Sequence, residues 1–398
     1  MDTKNIYVIG RRVIDMFYAK GFSDVNIQFE TGPAKGDGFI GVMMHAKICA
    51  VKNGKPQEFE TVVKCAPNCE IFRKSMPVRS LFLREALYYT KIVPIYDNLQ
   101  DQFELCVPQE MRCFLPKSYA SCDDFGQEMI ILEDLTKKGY SVAPVKMLDY
   151  KHAAIILRII AKLHALSFIY EDRYPKRFRE MADQCTNDYL RNTEEFEKKY
   201  LVVHGIKVME QFTSVITDGS LKERCMKALG VNALEKFKEI QNSGKVMAIL
   251  HGDNWHSNYM FKYKNGEPTE GIPIDFQWSR YGSIGYDFMY LFAFSVATDM
   301  RRNQFYQLVD EYYSGFKEFL TLCGYDANRF CSYDQFKAEV KSQALISMVT
   351  FMIGYPFFTY PGFKLPDMIS STIYTTCTEE YKQTVNDIVV DWANLGFI

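Results

Sequence analysis

The strongest chemical signal in the chain is His251-Gly252-Asp253-Asn254-Trp255-His256-Ser257-Asn258, followed by Asp275-Phe276-Gln277. Phosphoryl transfer from a nucleotide needs a carboxylate to orient the acceptor hydroxyl and take its proton. It also needs oxygen ligands that hold Mg²⁺ on the phosphates. Asp253 suits the first task as catalytic base; Asn258 and Asp275 suit the second as metal ligands. An Asp, then an Asn five residues later, then Asp-Phe across a hairpin is the spacing of kinase-type catalytic loops. Taken singly, each residue reads as part of a capped turn. Taken jointly they point to chemistry.

The N-terminal part supplies the rest of such a site. Gly32, Gly36, Gly38 and Gly41 punctuate a strand–turn–strand whose backbone suits close approach to phosphates. Val62-Val63-Lys64 follows as a strand ending in a lysine able to reach the α- and β-phosphates, and Glu85 on the next helix can pair with Lys64 and hold it. His251 and His256 beside Asp253 also raise a metal-dependent hydrolase. The remaining histidines, His45, His152, His164 and His204, offer no third ligand set at suitable spacing. His251 therefore reads as an orienting residue of the loop, His256 as loop filler and His164 as a satisfied core histidine.

The elements that must position these residues divide into two kinds. Asn26–Phe29, Phe39–Cys49 and Glu58–Cys65 carry β-branched or aromatic residues between glycine-rich or Asn53-Gly54 turns, and Glu128–Leu135 is a further apolar strand. Leu81, Glu85, Tyr88 and Ile92 fall at helical spacing within Pro77–Val93. Beyond a connector near Glu133–Gly139, helices are expected over Tyr150–Ser167, Thr186–Glu197, Ala228–Gln241, Asn303–Leu322 and Phe336–Thr350. Val246–Leu250 and the hairpin Tyr259–Lys262/Ile272–Phe276, turning at Asn265-Gly266, interrupt them and bring Asn258 and Asp275 to one edge. The expectation is an α+β chain: a strand-rich, nucleotide-binding N-lobe over residues 1–135 and a helix-rich C-lobe over 136–398 carrying the catalytic loop and acceptor site.

Composition narrows the function classes. With 47 Lys+Arg against 49 Asp+Glu and no basic run, the chain lacks the electrostatic footprint of a nucleic-acid binder. No signal peptide is visible, and the most apolar stretches, Phe288–Ala297 and Leu345–Phe358, are too short to span a bilayer; the second is also interrupted by Gly354 and Pro356. Eleven scattered cysteines without zinc spacing suggest reduced thiols in a cytoplasmic protein. The unusual figure is 15% aromatic residues, which either thicken a core or line an apolar pocket.

The chain resembles the CHK-kinase-like, or ecdysteroid kinase-like, family, related to choline kinases and aminoglycoside phosphotransferases. The resemblance rests on Phe82-Leu83-Arg84-Glu85 with Tyr88, Ile131-Leu132-Glu133-Asp134-Leu135, the His251–Asn258 run, and Asp275-Phe276-Gln277-Trp278-Ser279-Arg280-Tyr281-Gly282-Ser283 with Asp287. It implies a bilobal protein-kinase-like fold and ATP-dependent phosphorylation of a small-molecule hydroxyl. It further implies adenine contacts from the backbone around Glu133 to Leu135, and an Asp287 that holds the catalytic-loop backbone. The glycine-rich segment departs from the family's usual pattern.

Three features separate this chain from a protein kinase. His251-Gly252-Asp253 lacks the arginine that meets a phosphorylated activation loop, Gln277 replaces the glycine of a flipping Asp-Phe-Gly, and only Gln277 to Tyr286 separates Asp275-Phe276 from Asp287. For the acceptor, Tyr286, Phe288, Tyr290, Phe292 and Phe294 occur at alternate positions, and Phe351, Tyr355, Phe357, Phe358, Tyr360 and Phe363 cluster later; if part of the second group faces the cleft, it suits an apolar alcohol such as an ecdysteroid or a xenobiotic better than an aminoglycoside. Packing between helices is the plainer account of any one of them. A choline/ethanolamine-type kinase would use the same catalytic residues. A catalytically silent nucleotide-binding module on the same fold is the rival of another class. Nothing in the sequence bears on oligomeric state.

Overall fold

A computed structural model describes residues 3–30, 41–70, 73, 76–103, 105–145, 147–185, 202–240, 243–362 and 371–398. Gly32, Gly36, Gly38, Phe363 and the helix expected over Thr186–Glu197 lie outside them. Two compact units form: Met1–Pro94 with Leu115–Val142, and Ile95–Phe114 with Ala143–Ile398.

The first unit is built on five antiparallel strands, β1 (Ser23–Phe29), β2 (Val42–Lys52), β3 (Lys55–Cys65), β4 (Ser118–Cys122) and β5 (Met129–Glu133), in the order β1-β2-β3-β5-β4. Asn53 and Gly54 close β2 onto β3 with positive φ at both positions, the conformation that a two-residue hairpin needs. Met44, Ala46, Ile48 and Ala50 alternate inward along β2. They meet Val13 and Phe17 of helix α1 (Thr3–Ala19) in one core with Val63 and Ile131. The sequence reading anticipated strands and one helix here and did not anticipate α1. Helix α2 (Val78–Leu87) runs into a π-helical turn over Tyr88–Ile92 and then into a further helix, Val93–Gln102.

The second unit is mainly helical. Its long helix α3 (Tyr150–Arg173) starts on the Asp149 side chain, which accepts the His152 amide, and buries an apolar face that includes Ile156, Ile160 and Leu163. Among the described residues it is the one helix long and apolar enough by composition to cross a membrane, and 78% of its most apolar window is buried within the protein. β6 (Met247–Leu250) pairs with β9 (Arg280–Ser283), and the hairpin β7 (Tyr259–Lys264)/β8 (Glu267–Pro273) turns at Asn265-Gly266 with φ of 54° and 80°. Helix α4 (Ile284–Ser295) follows β9 directly. Later come α5 (Phe305–Leu322), α6 (Tyr333–Ser342), α7 (Ala344–Thr359) and α8 (Glu379–Asn394). The single helix expected over Phe336–Thr350 is two helices, and α7 continues through Gly354 and Pro356. Burial of α7 on several sides outweighs the helix-breaking tendency of those two residues.

Candidate active site

In the first unit, strand alternation decides where Lys64 points. Val63 and Cys65 face the core shared with α1, so Lys64 faces the opposite side of β3. There its Nζ lies 2.7 Å from Glu85 Oε2 of α2, with both side chains buried, and 5.8 Å from the centre of the Phe82 ring, one turn before Glu85. Gly41 closes the same corner. A Cβ at this positive-φ residue would come within 3.2 Å of the Cys65 carbonyl and 3.6 Å of Lys64 Cγ. Glu133 ends β5 opposite Thr61 of β3 and pairs with Lys138, while Leu135 is buried. Asp134, between them, caps the turn that follows through Thr136 and meets His45 Nδ1 at 2.5 Å.

The second unit gathers the remaining candidates around the loop between β6 and β7. Asp287, fully buried on the first turn of α4, accepts the amides of His251 (2.8 Å) and Gly252 (3.0 Å) through its two carboxylate oxygens. Its carbonyl accepts Asn254 Nδ2 at 2.7 Å, and His164 Nε2 stands 3.2 Å from Oδ2. Burial alone would push this carboxyl up; the His164 contact and the loop amides hold it below the ordinary aspartate value. His164 is also 2.6 Å from the Tyr312 hydroxyl, so both its ring nitrogens are used inside the core. Burial lowers the His251 pKa and keeps the ring neutral. Its Nε2 donates to the Ile274 carbonyl at 3.0 Å, leaving Nδ1 to accept the Asp253 amide at 3.4 Å. His256 is bound to Ser295 through its amide, and burial takes its ring down to about 4.

Asp253 is held at both carboxylate oxygens. Tyr290 on α4 donates to Oδ1 at 2.7 Å, and Asn258 Nδ2 donates to Oδ2 and to the Asp253 carbonyl, each at 2.9 Å. Burial, joined by the negative charges of Asp275 and Asp287, pushes Asp253 up to about 6 against the pull of those two donors. Because the amide nitrogen of Asn258 is fixed on two oxygens, its carbonyl oxygen is turned away from Asp253. The Asn258 backbone carbonyl accepts the Ile274 amide at 2.9 Å, so the hairpin register brings Asp275 next to this residue. Asp275 adopts a left-handed conformation (φ 64°) and does not spend its carboxylate on capping the turn it begins. An amide oxygen and a carboxylate at the open end of one hairpin form a hard-oxygen donor set that fits Mg²⁺. Gly252, also at positive φ, packs against the turn after Asp275: a Cβ there would fall 1.9 Å from the Trp278 carbonyl oxygen.

In the sequence Tyr290 stands only among the alternating aromatics of 286–294, and no local signal marks it as a partner of Asp253. In α4 the aromatic residues do not share one face. Tyr286, Tyr290 and Phe294 stack down one side at 5.7 and 4.4 Å, whereas Phe288 and Phe292 face Phe305, Phe336 and Trp392 in the core. Phe294 meets Phe351 and Phe358, and Phe358 meets Trp255 at 4.5 Å.

A strand lysine ion-paired to a helix glutamate in one unit, and an Asp–Asn loop leading through a hairpin to Asp-Phe in the other, define a kinase-type phosphotransferase fold. Within that class, the model of the ecdysteroid kinase-like family matches residues 35–325, and the chain belongs to this family. No curated protein matches it in sequence. Similar solved structures include an aminoglycoside 2″-phosphotransferase in complex with GDP and kanamycin, 11% identical over 96% of this chain and 97% of that one, TM-score 0.42. The GDP complex of the wild-type aminoglycoside 2′-phosphotransferase-IIIa is 12% identical over 97% and 99% of the two chains, TM-score 0.39. A type VIII aminoglycoside-3′-phosphotransferase is 13% identical over 84% and 98%, TM-score 0.29.

Proposed function

We propose that this chain is an ATP:alcohol phosphotransferase of the EC 2.7.1 type that phosphorylates a hydroxyl of a hydrophobic small molecule, such as an ecdysteroid or a xenobiotic, in the cytoplasm. The observation that carries the reading is the two-sided hold on Asp253 by Tyr290 and Asn258, with Asp275 beside Asn258. In this reading Asp253 is the base. One carboxylate oxygen takes the proton of the acceptor hydroxyl as the hydroxyl oxygen bonds to the γ-phosphorus and ADP leaves. Asn258 and Asp275 hold Mg²⁺, which when bound neutralises charge on the phosphates. Lys64, paired with Glu85, binds phosphate oxygens, with Gly36 and Gly38 as further members of the nucleotide-binding set, and the backbone from Glu133 to Leu135 receives the adenine. His251 and Asp287 fix the loop that carries Asp253. Support for an apolar acceptor comes from the Tyr290–Phe294 stack and its neighbours Phe358 and Trp255, which begin at the hydroxyl that touches the base. All eleven cysteines are free, in keeping with a reducing compartment.

The test is to incubate the protein with γ-labelled ATP and a metabolite extract and to read phosphorylated products by mass spectrometry. Asp253→Ala is expected to abolish product formation while leaving Mg·ATP affinity largely intact. Equal turnover in variant and wild type refutes the assigned base.

A further inference from the structure

Arg280 opens β9 opposite Leu250, the residue that precedes His251. It is 6% exposed, yet no carboxylate lies within ion-pair distance of it among the described residues. Arginine at this depth is ordinarily paired, because an uncompensated guanidinium loses its hydration without replacement. Arg301 in the same unit shows the ordinary arrangement: 1% exposed, it bonds Asp391 at 2.7 Å, the Val296 carbonyl and the Thr298 hydroxyl. Arg280 instead lies flat against Tyr286, its guanidinium carbon 3.8 Å from the ring centre, with the neutral Tyr286 hydroxyl as its polar neighbour. None of the guanidinium nitrogens is both sealed from solvent and unpartnered, so the donors that Tyr286 does not use reach solvent. This is an aromatic-backed fork of N–H donors that keeps a little solvent contact despite its burial. Tyr286 in turn contacts Tyr290 at 5.7 Å, and Tyr290 holds Asp253.

We propose that Arg280, backed by Tyr286, forms an oxyanion subsite beside the catalytic loop that takes a phosphate-type group. A planar guanidinium stacked on an aromatic ring presents paired donors to two oxygens of such a group, and the bound anion supplies the countercharge that no carboxylate among the described residues provides. Two sources share this chemistry: the phosphoryl group during transfer, and an anionic group already carried by the acceptor. Assigning the source rests on the kinase reading; the binding itself does not.

The test is thermal melting of the full chain, without nucleotide, in rising inorganic phosphate against chloride at matched ionic strength. Wild type gains melting temperature saturably, by about 2 °C at tenfold over Kd. Arg280→Met loses this gain while melting no lower than wild type in chloride, and Arg280→Lys keeps a weaker gain. An equal gain in Arg280→Met, or no phosphate-specific gain in wild type, overturns the proposal. Arg280→Met melting well below wild type in chloride also overturns it, since the side chain would then be serving the fold. Hydrolysis of Mg·ATP without acceptor separates the sources. A tenfold or greater fall in kcat in Arg280→Met at unchanged KM assigns the phosphoryl group, and unchanged hydrolysis with lost phosphate binding assigns an anion on the acceptor. Phosphate binding that depends on Arg280 in a chain with no ATP turnover upholds the subsite and refutes the kinase reading alone.

Discussion

Asp253→Asn should make the protein's stability less sensitive to pH, and the size of the effect follows from the burial of this residue. Asp253 titrates at about 6 in the folded chain against an ordinary 3.8. Between those values the folded chain keeps a proton that the unfolded chain releases. Its contribution is therefore fully present below pH 4 and is lost as pH rises through 6. A gap of about two units corresponds to about 3 kcal/mol lost between pH 4 and pH 7.5. Asparagine carries no charge at any pH and removes this slope. It also turns an N–H₂ group toward one of the two donors that Asp253 accepts, a cost of about 1–2 kcal/mol that does not vary with pH. The diagnostic quantity is accordingly the difference between variant and wild type as a function of pH, in which the constant offset cancels. Measured by calorimetry in EDTA, the melting temperature of Asp253→Asn relative to wild type should rise by about 4 °C from pH 4 to pH 7.5. A difference that is flat with pH, or that falls, refutes the argument that burial controls this carboxyl.

Two further outcomes are expected. Glu85→Ala leaves the buried Lys64 ammonium without its carboxylate and should cost about 3–5 kcal/mol in denaturant unfolding, whereas Lys64→Met combined with Glu85→Leu should cost far less; similar losses in both would mean that the ion pair is not what the single change breaks. Asp287→Asn can still accept one of the two loop amides but not both, so hydrogen exchange at His251 or Gly252 should speed by about 30-fold. Unchanged protection at both amides would show that the loop is held by something else.

What could be read in the sequence and what could not follow a physical division. Asp253 and Asn258 lie on one turn, and Asn265-Gly266 specifies a hairpin that returns the chain to Asp275; these are local instructions, and the geometry matches them. Lys64 facing Glu85 follows from strand alternation and helical spacing within a short stretch. The contacts that cross the fold carry no such local mark. Tyr290 reaches Asp253, and His164 reaches Asp287, only because α3 and α4 pack in particular registers. Arg280–Ser283 carries no strand pattern of its own and is a strand because β6 lies beside it. α1 escaped notice because Tyr7, Val8 and Tyr18 are apolar yet exposed, which blurs the stripe formed by Val13 and Phe17. Proline and glycine were read as breaks in α7, but burial of the surrounding side chains keeps that segment helical.

The close approach of Gly252 to the Trp278 carbonyl bears on how this family can diversify. The loop bearing Asp253 and the turn following Asp275 meet main chain to main chain, with no side chain interposed. Substitutions along α4 and α7 can therefore recontour the surroundings of Asp253 without altering the seating of its loop against the turn that follows Asp275. Position 252 has no such latitude, because every residue but glycine would drive an atom into that carbonyl. A lineage can thus vary the side chains around Asp253, by many small steps, while the seating of its loop against the turn after Asp275 stays fixed by one residue that has no side chain at all.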